Sequence, residues 1–318
     1  MALLGDPVPP PGTGLLKDLS FGRITDAGDV VFEATISGGA VILGVEVDQG
    51  LFRCTGGDGN CSTGGTGTLQ TVLLVNDPVT DRAGREFCRF GELAASSFGV
   101  AFRADTQLDC ANSAEVPLSG VFRKAFVGTV ETLALAGDAS EPFPSPGGTT
   151  YASFVGRPSI ENAGTVAFQA STAGVTATSV LYLCQPGLCP ASPADAALTR
   201  GELDDDGAAF RAFSSPAISA AKDIAFTAKA DPPAGSPYYA LYVRRFSGDV
   251  EQLARTNGVV PGLSPTATFR MHLNDPSISA GGKVAFKSRI RRGVAPRNRE
   301  GVFVVESPSG AFLDGADF

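Results

Sequence analysis

The feature that most constrains this chain is a short strand that it writes five times. Val30-Val31-Phe32, Val100-Ala101-Phe102, Val166-Ala167-Phe168, Ile224-Ala225-Phe226 and Val284-Ala285-Phe286 share an apolar start and an aromatic end. A second apolar–aromatic pair follows each: Leu51-Phe52, Val121-Phe122, Leu181-Tyr182, Leu241-Tyr242 and Val302-Phe303. The aromatic members of those pairs are 70, 60, 60 and 61 residues apart. A fixed period of this length marks a repeat architecture in which each unit is one supersecondary element. Three of the strands are entered through near-identical turns, "PSIENAGTVAF", "PAISAAKDIAF" and "PSISAGGKVAF". A third element follows four of the units. Residues 67–77 align without a gap on 128–138, and 197–202 and 253–258 are weaker versions.

The fifth copy of that element is missing after Phe303, while "ALLGD" at residues 2–6 matches "ALAGD" at 134–138. An array cut inside a unit suits a closed ring, because the shared unit joins first to last and removes the exposed sheet edge. An open solenoid would instead want polar caps at both ends. Each unit supplies four strands: a ("PSI"), b ("VAF" and the two residues after it), c ("GVF" or "LYV") and d ("LALAG"). The expected fold is therefore all-β, a five-bladed β-propeller of four-stranded antiparallel blades, closed by the N-terminal strand completing the last blade. It is expected as one domain over residues 1–318, with blades near 22–77, 91–138, 157–202, 215–258, and 275–308 plus 2–6. A β-sandwich or two small β domains is the alternative. Within strand b, alternation sends Ala and Phe to opposite faces. Phe32, Phe102, Phe168, Phe226 and Phe286 are then expected to pack one blade on the next.

Composition agrees with short strands and turns. Gly (39) and Pro (22) are abundant and charged residues are few, at 18%. The net charge of -8 argues against nucleic-acid binding, and no apolar run is long enough to span a bilayer. Six cysteines fall into three local couples, Cys54/Cys61, Cys88/Cys110 and Cys184/Cys189, with no Cys-x-x-Cys knuckle and a single histidine, His272. They read as three disulfides formed in an oxidising compartment, worth roughly 2 kcal/mol for the short rings and somewhat over 3 for the longer one. The expected location is extracellular or on the cell surface, after loss of a leader that this chain does not carry.

In a four-stranded meander the b–c and d–a connections leave by one face, and here they hold the long irregular inserts. Any ligand is expected there. The speculative binding residues are the basic run Arg289, Arg291, Arg292, Arg297 and Arg299, with Tyr151, Tyr238 and Tyr239 as aromatic contacts. Lys283 and Lys287 add to the same basic blade. Acidic residues recur where strand d ends, at Asp6, Asp77, Asp138 and Glu202, and are read first as caps of their own turns. Asp204, Asp205 and Asp206 are weak candidates for Ca²⁺, without EF-hand spacing; no other cofactor is expected. His272 falls where other blades place Phe and is read as an aromatic-sized filler. Glycoside hydrolysis needs two carboxylates across the scissile bond, and along the a strands only Glu92 is acidic.

"PSIENAGTVAF", "ALAGD" and "GVF" together resemble the bacterial exported proteins with NxxGxxAF-type tandem repeats, described as choice-of-anchor proteins. The resemblance covers nearly the whole chain. It implies an extracellular or surface location and a repeat-built β fold, and it supplies no catalytic residues. The function expected from the sequence is a secreted, non-catalytic binding or structural module. Its partner would be an extracellular protein or glycan, an anionic one included, or further copies of itself. A glycoside-active propeller enzyme and a Ca²⁺-dependent adhesion module are the alternatives.

Overall fold

The structure, a computed structural model, describes residues 4–20, 22–38, 41–42, 45–46, 48–56, 61, 66–112, 114–137, 150–173, 178–187, 189, 195–261, 263, 267–292, 299–306 and 311–313. No helix occurs among them. In the first sheet β1 (Leu15–Leu19) and β2 (Arg23–Ile24) pair with β3 (Val30–Ser37). A small hairpin of β4 (Val41–Ile42) and β5 (Val45–Glu46) follows, and β6 (Gln49–Thr55) and β7 (Thr68–Leu74) complete the order β1-β3-β6-β7. The second sheet holds β8 (Glu86–Ala95), β9 (Gly99–Gln107), β10 (Leu118–Ala125) and β11 (Val130–Leu135). The third holds β12 (Tyr151–Ile160), β13 (Val166–Thr172), β14 (Ser179–Cys184) and β15 (Asp195–Thr199). In the fourth, β16 (Ala209–Phe213) and β17 (Ala217–Ile218) pair with β18 (Ile224–Asp231), followed by β19 (Tyr238–Arg244) and β20 (Val250–Arg255). In the fifth, β21 (Ala267–Arg270) and β22 (Ser277–Ile278) pair with β23 (Lys283–Arg292), followed by β24 (Arg299–Glu306) and β25 (Ala311–Leu313). All five are antiparallel meanders built from the repeated unit. The chain divides into two compact units. One comprises Met1–Pro144 with Asn162–Gly164 and Pro186–Pro193 and contains the first two sheets; the other comprises the remainder, with the other three.

The a strand is longer than the sequence suggested. Its first half carries aromatic residues ahead of the "PSI" segment, as in β12, which runs from Tyr151 through Ile160 and includes Phe154. The reason is packing. Phe102 lies directly across the ladder from Phe122, Phe168 from Tyr182, Phe226 from Tyr242 and Phe286 from Phe303. An aromatic ring of the first strand meets the second member edge-on: Phe87 on Phe122 at 5.0 Å, Tyr151 on Tyr182 at 5.3 Å, Phe210 on Tyr242 at 5.1 Å and Phe269 on Phe303 at 5.1 Å. Such T-shaped contacts are the favoured geometry of ring quadrupoles. In the first sheet Leu16 and Leu19 stand in for the first-strand rings beside Phe32 and Phe52. Within the three-sheet unit, the small face of one sheet receives the aromatic face of the next. Ala167, Leu181 and Leu183 cluster with Phe210, Phe213 and Phe226, and Ala225, Leu241 and Val243 with Phe269 and Phe286. His272 departs from its expected role: it is exposed, and Met271 beside it is the buried residue.

The N-terminal strand does not take the place expected of it. The fourth position of the fifth sheet is filled by β25, which pairs Val304 with Leu313 and Glu306 with Ala311. Residues 2–3 lie outside the described residues. The match between "ALLGD" and the d elements instead reflects a turn. Gly5, Asn76, Gly137, Gly201 and Asn257 all have positive φ, from 66° to 118°, a conformation open mainly to Gly and Asn. The residue after this turn accepts a backbone hydrogen bond from the next a strand: Leu16 N to Asp6 O, Phe87 N to Asp77 O, Phe210 N to Glu202 O and Phe269 N to Gly258 O. Gly5-Asp6 thus holds on β1 the place that Asn76-Asp77 holds on β8. The capping reading holds at Asp77 and Glu202, with Leu74 N donating to Asp77 (2.7 Å) and Thr199 N to Glu202 (3.1 Å). Asp138 lies outside the described residues.

Disulfides join Cys54 to Cys61 and Cys88 to Cys110. Cys184 and Cys189 are disulfide-bonded as well. Cys88 sits within β8. Crosslinks of this kind are consistent with an extracellular protein. Among the described residues no helix is long and apolar enough to cross a membrane.

Candidate active site

In every sheet the first strand is interrupted near the residue that follows the b-strand Phe. In β8 the register passes from Phe90↔Ala104 to Leu93↔Phe102, so Gly91 and Glu92 together oppose Arg103 alone. This is a β-bulge, a device that re-aims side chains beside functional sites. In the first sheet the break between β1 and β2 lies opposite Phe32 and Glu33. There Ser20 N donates to Glu33 O (2.9 Å) and Glu33 N to Ser20 Oγ (3.1 Å). The break falls at or beside the residue that follows the Phe. Across the five sheets that residue is Glu33, Arg103, Gln169, Thr227 and Lys287.

In the two-sheet unit these interruptions open a cleft of about 460 Å³, with Ser20, Arg23 and Glu33 on one side and Arg89, Glu92 and Arg103 on the other. Gln49 ties the two sides together. Its Nε2 donates to Glu33 Oε1, and its Oε1 accepts from Phe90 N at 2.9 Å. Burial pushes the Glu33 carboxyl above the ordinary glutamate value. The Gln49 hydrogen bond opposes that rise and the charge of Glu92 adds to it. Glu92 itself is exposed. The cleft therefore holds a half-buried carboxyl, raised by burial, and the exposed side chain of Glu92 in one lining. Two carboxyl groups are what chemistry on a glycosidic bond requires.

The sequence-predicted residues lie elsewhere. Tyr151 is 2% exposed and spent on the aromatic core, where burial raises its phenol above the usual value. Tyr239 is partly buried, with its ring 6.0 Å from that of His272. Tyr238 is half-buried and donates to Asp204 at 3.0 Å. Asp204 is buried, and its carboxylate accepts from Tyr238 and Tyr242 hydroxyls at one oxygen and from Asp206 N and Ala208 N at the other. This is a loop anchor with its oxygens already engaged, while Asp205 and Asp206 face solvent. Among the described residues no group of three or more His, Cys, Asp and Glu is placed to hold a metal ion.

The basic run is interleaved with carboxylates across the β23–β24 ladder. Lys283 pairs with Glu306 (2.6 Å), and Lys287 (2.7 Å) and Arg289 (3.0 Å) both pair with Glu300. Hydrogen bonds from Lys287 and then Arg289 hold the Glu300 carboxyl below the usual range. A second cleft of about 450 Å³ lies there, beside His272 and Asn274. Arg291 is exposed on β23, Arg292 and Arg299 belong to β23 and β24, and Arg297 lies outside the described residues.

A family model described as "Family of unknown function (DUF7453)" matches residues 193–314. No curated protein matches the chain. Among solved structures it is similar to the α-L-arabinofuranosidase Arb93A of Fusarium graminearum, with 14% identity and a TM-score of 0.39 over 96% of this chain and 81% of that one. It is also similar to a mutant of Trypanosoma rangeli sialidase displaying trans-sialidase activity, with 11% identity and a TM-score of 0.42 over 95% of this chain. The chain spans about half of that sialidase's length, 49%. A third is the α-L-arabinofuranosidase PaAbf62A of Podospora anserina, with 11% identity and a TM-score of 0.30 over 99% and 96%. Likeness this loose leaves the function to be argued from the chain's own residues.

Those residues correct the expectation of a non-catalytic module. That expectation rested on finding a single acidic residue, Glu92, along the a strands. A second acidic residue, Glu33 on strand b, lines the same cleft. The structures named above are glycoside-active enzymes, the class that the sequence reading had placed second.

Proposed function

We propose that this chain is a glycoside-active enzyme whose working site is the cleft between the first two sheets. Glu33 serves as the general acid that protonates the leaving oxygen, and Glu92 is the carboxylate acting on the sugar from across the bond. The observation that carries the reading is the half-buried Glu33 carboxyl, raised by burial and by the neighbouring Glu92. The five meanders are proposed to form a five-bladed propeller with the a strands innermost. In support, successive a strands of the three-sheet unit are hydrogen-bonded, Arg157 N to Ser215 Oγ (3.0 Å) and Ser215 N to Asp275 Oδ1 (3.2 Å). The working place of the protein is proposed to be extracellular, as its disulfides suit.

The test is hydrolysis of a panel of aryl glycosides and polysaccharides by the wild-type chain and by Glu33→Gln and Glu92→Gln. Turnover by the wild type that falls by about 10²–10⁴ in either variant supports the reading. Turnover unchanged in both variants, or no turnover across the panel, refutes it.

A further inference from the structure

The bridge that Gln49 makes between the first two sheets has a direction. Gln49 opens β6, where it stands opposite Thr35, and Glu33 stands opposite Leu51. Glu33 and Gln49 are therefore diagonal neighbours on one face of the sheet, a separation that long side chains span. The Gln49 backbone is held on its other side as well, by Val75 N donating to its carbonyl at 3.0 Å. Its side-chain amide thus hangs from a fixed point. Gln49 Oε1 accepts from Phe90 N at 2.9 Å, and Phe90 is the last β8 residue paired with β9 before the bulge. A backbone N–H can only donate, so the oxygen of the amide must face it. The amide nitrogen is then committed to the other end. It too can only donate, so Glu33 Oε1 must accept.

We infer that Gln49 is a positioning residue, which keeps Glu33 Oε1 as an acceptor and places the acid's proton on Oε2; its part in a reaction rests on the glycoside-active reading. The carbonyl oxygen of a carboxylic acid accepts a hydrogen bond better than its hydroxyl oxygen does. The amide therefore selects Oε1 as the carbonyl and leaves the O–H to Oε2. On that reading the proton passes from Oε2 to the leaving oxygen, which also keeps the electron pair of the broken glycosidic bond. Glu33 is left as a carboxylate that the Gln49 amide still holds. The same hydrogen bond favours the charged form, and so opposes the rise that burial imposes on Glu33. The charged groups that line the cleft with Glu33 are Arg23 on β2, Arg89 and Glu92 on β8, and Arg103 on β9. Arg89 is paired with Asp105, and the charge of Glu92 acts on Glu33 in the sense opposite to Gln49.

The experiment follows the Glu33 carboxyl carbon by NMR titration of the full, disulfide-intact chain, with the signal assigned by its loss in Glu33→Gln. Wild type is compared with Gln49→Met, which removes both ends of the bridge, and with Gln49→Glu. The latter keeps an acceptor for Phe90 N but, once ionised, cannot donate to Glu33. The Glu33 midpoint is expected to rise by about one pH unit in Gln49→Met, the worth of a hydrogen bond to a charged group. It should rise at least as far in Gln49→Glu, where a like charge is added. In the wild type the Gln49 side-chain NH2 resonances should move with the Glu33 midpoint. On a p-nitrophenyl glycoside that the wild type hydrolyses, the alkaline limb of kcat/KM should move up in Gln49→Met as the midpoint does. There kcat should fall by about tenfold or more at constant KM, and a 2,4-dinitrophenyl leaving group should restore it. A Glu33 midpoint that is unmoved or lowered in both variants overturns the inference, and with a reduced melting temperature it makes Gln49 a tie between sheets alone. Hydrolysis that is lost in Glu33→Gln beside such an unmoved midpoint leaves the glycosidase reading standing. A raised midpoint without hydrolysis of any substrate does the reverse, upholding the placement of the proton and sinking that reading.

Discussion

Replacing Asp204 with Ala separates a loop anchor from a calcium ligand. The carboxylate receives four hydrogen bonds, from the Tyr242 hydroxyl (2.8 Å), the Tyr238 hydroxyl (3.0 Å), Ala208 N (2.8 Å) and Asp206 N (3.0 Å). Asp206 is exposed and Tyr238 partly so, and both donors can turn to water. Ala208 is fully buried and cannot, and the Tyr242 hydroxyl, also fully buried, keeps only a long contact to Gln252 Oε1 at 3.5 Å. A buried donor left without a partner costs about 1–3 kcal/mol, so the two together give about 4 kcal/mol. With an unfolding entropy of about 2.1 cal/mol/K per residue, 318 residues melting in one transition lose about 6 °C. Asp204→Asn keeps an acceptor at one of the two oxygen positions and is expected to lose less than half of that. Differential scanning calorimetry, run with calcium and with excess chelator, reads both quantities. The anchor account expects the Ala loss to be the same in the two buffers. A loss below about 1 °C, or a wild-type melting temperature that rises with calcium and stops rising in Asp204→Ala, refutes it.

Phe226 is fully buried between the third and fourth sheets, stacked on Tyr242 at 5.5 Å and met edge-on by Phe210 and Phe213. Phe226→Ala is expected to cost about 3–5 kcal/mol in chemical denaturation, whereas Val127→Ala, at a side chain 93% exposed, should stay within about 0.5 kcal/mol. Glu33 titrates above the ordinary glutamate range because burial disfavours its charge. The folded state therefore holds this proton more tightly than the unfolded chain does. The stability this confers is present in acid and lost as pH rises through the raised value. The melting temperature of Glu33→Gln minus that of the wild type should accordingly increase from pH 3.5 to pH 7, and a decrease would contradict the assignment.

The strands and their faces were legible because the repeat supplies its own alignment. Phe122, Tyr182, Tyr242 and Phe303 recur 60, 60 and 61 residues apart, and five copies make the period plain. The turn at the end of strand d was legible only as a string. As a string "ALLGD" reads as a strand that completes a blade, whereas its informative part is Gly5 at positive φ, a turn that caps whatever a strand follows. The active-site candidate was half legible. Glu92 stood out as an acid on an inner strand. Glu33 did not, because it lies beside a break in the neighbouring strand that no single repeat announces. A signal was nevertheless present. The residue after the b-strand Phe is polar in all five repeats, at Glu33, Arg103, Gln169, Thr227 and Lys287. Five polar residues at one position of an otherwise apolar strand mark where the inner strand is interrupted, although Gln169 and Thr227 are buried there. The ion pairs of the basic run were not legible, because Glu300 and Glu306 sit on the facing strand and meet Lys283, Lys287 and Arg289 only after pairing.

The central claim is that Glu33 and Glu92 divide one reaction between them, and leaving-group dependence tests it most directly. Hydrolysis of a p-nitrophenyl glycoside should fall by about 10²–10⁴ in Glu33→Gln. With a 2,4-dinitrophenyl leaving group, which departs without a proton, that variant should recover most of its rate, and Glu92→Gln should remain impaired on both substrates. Equal losses in the two variants whatever the leaving group, or wild-type rates no faster than those of the double variant, would contradict the account.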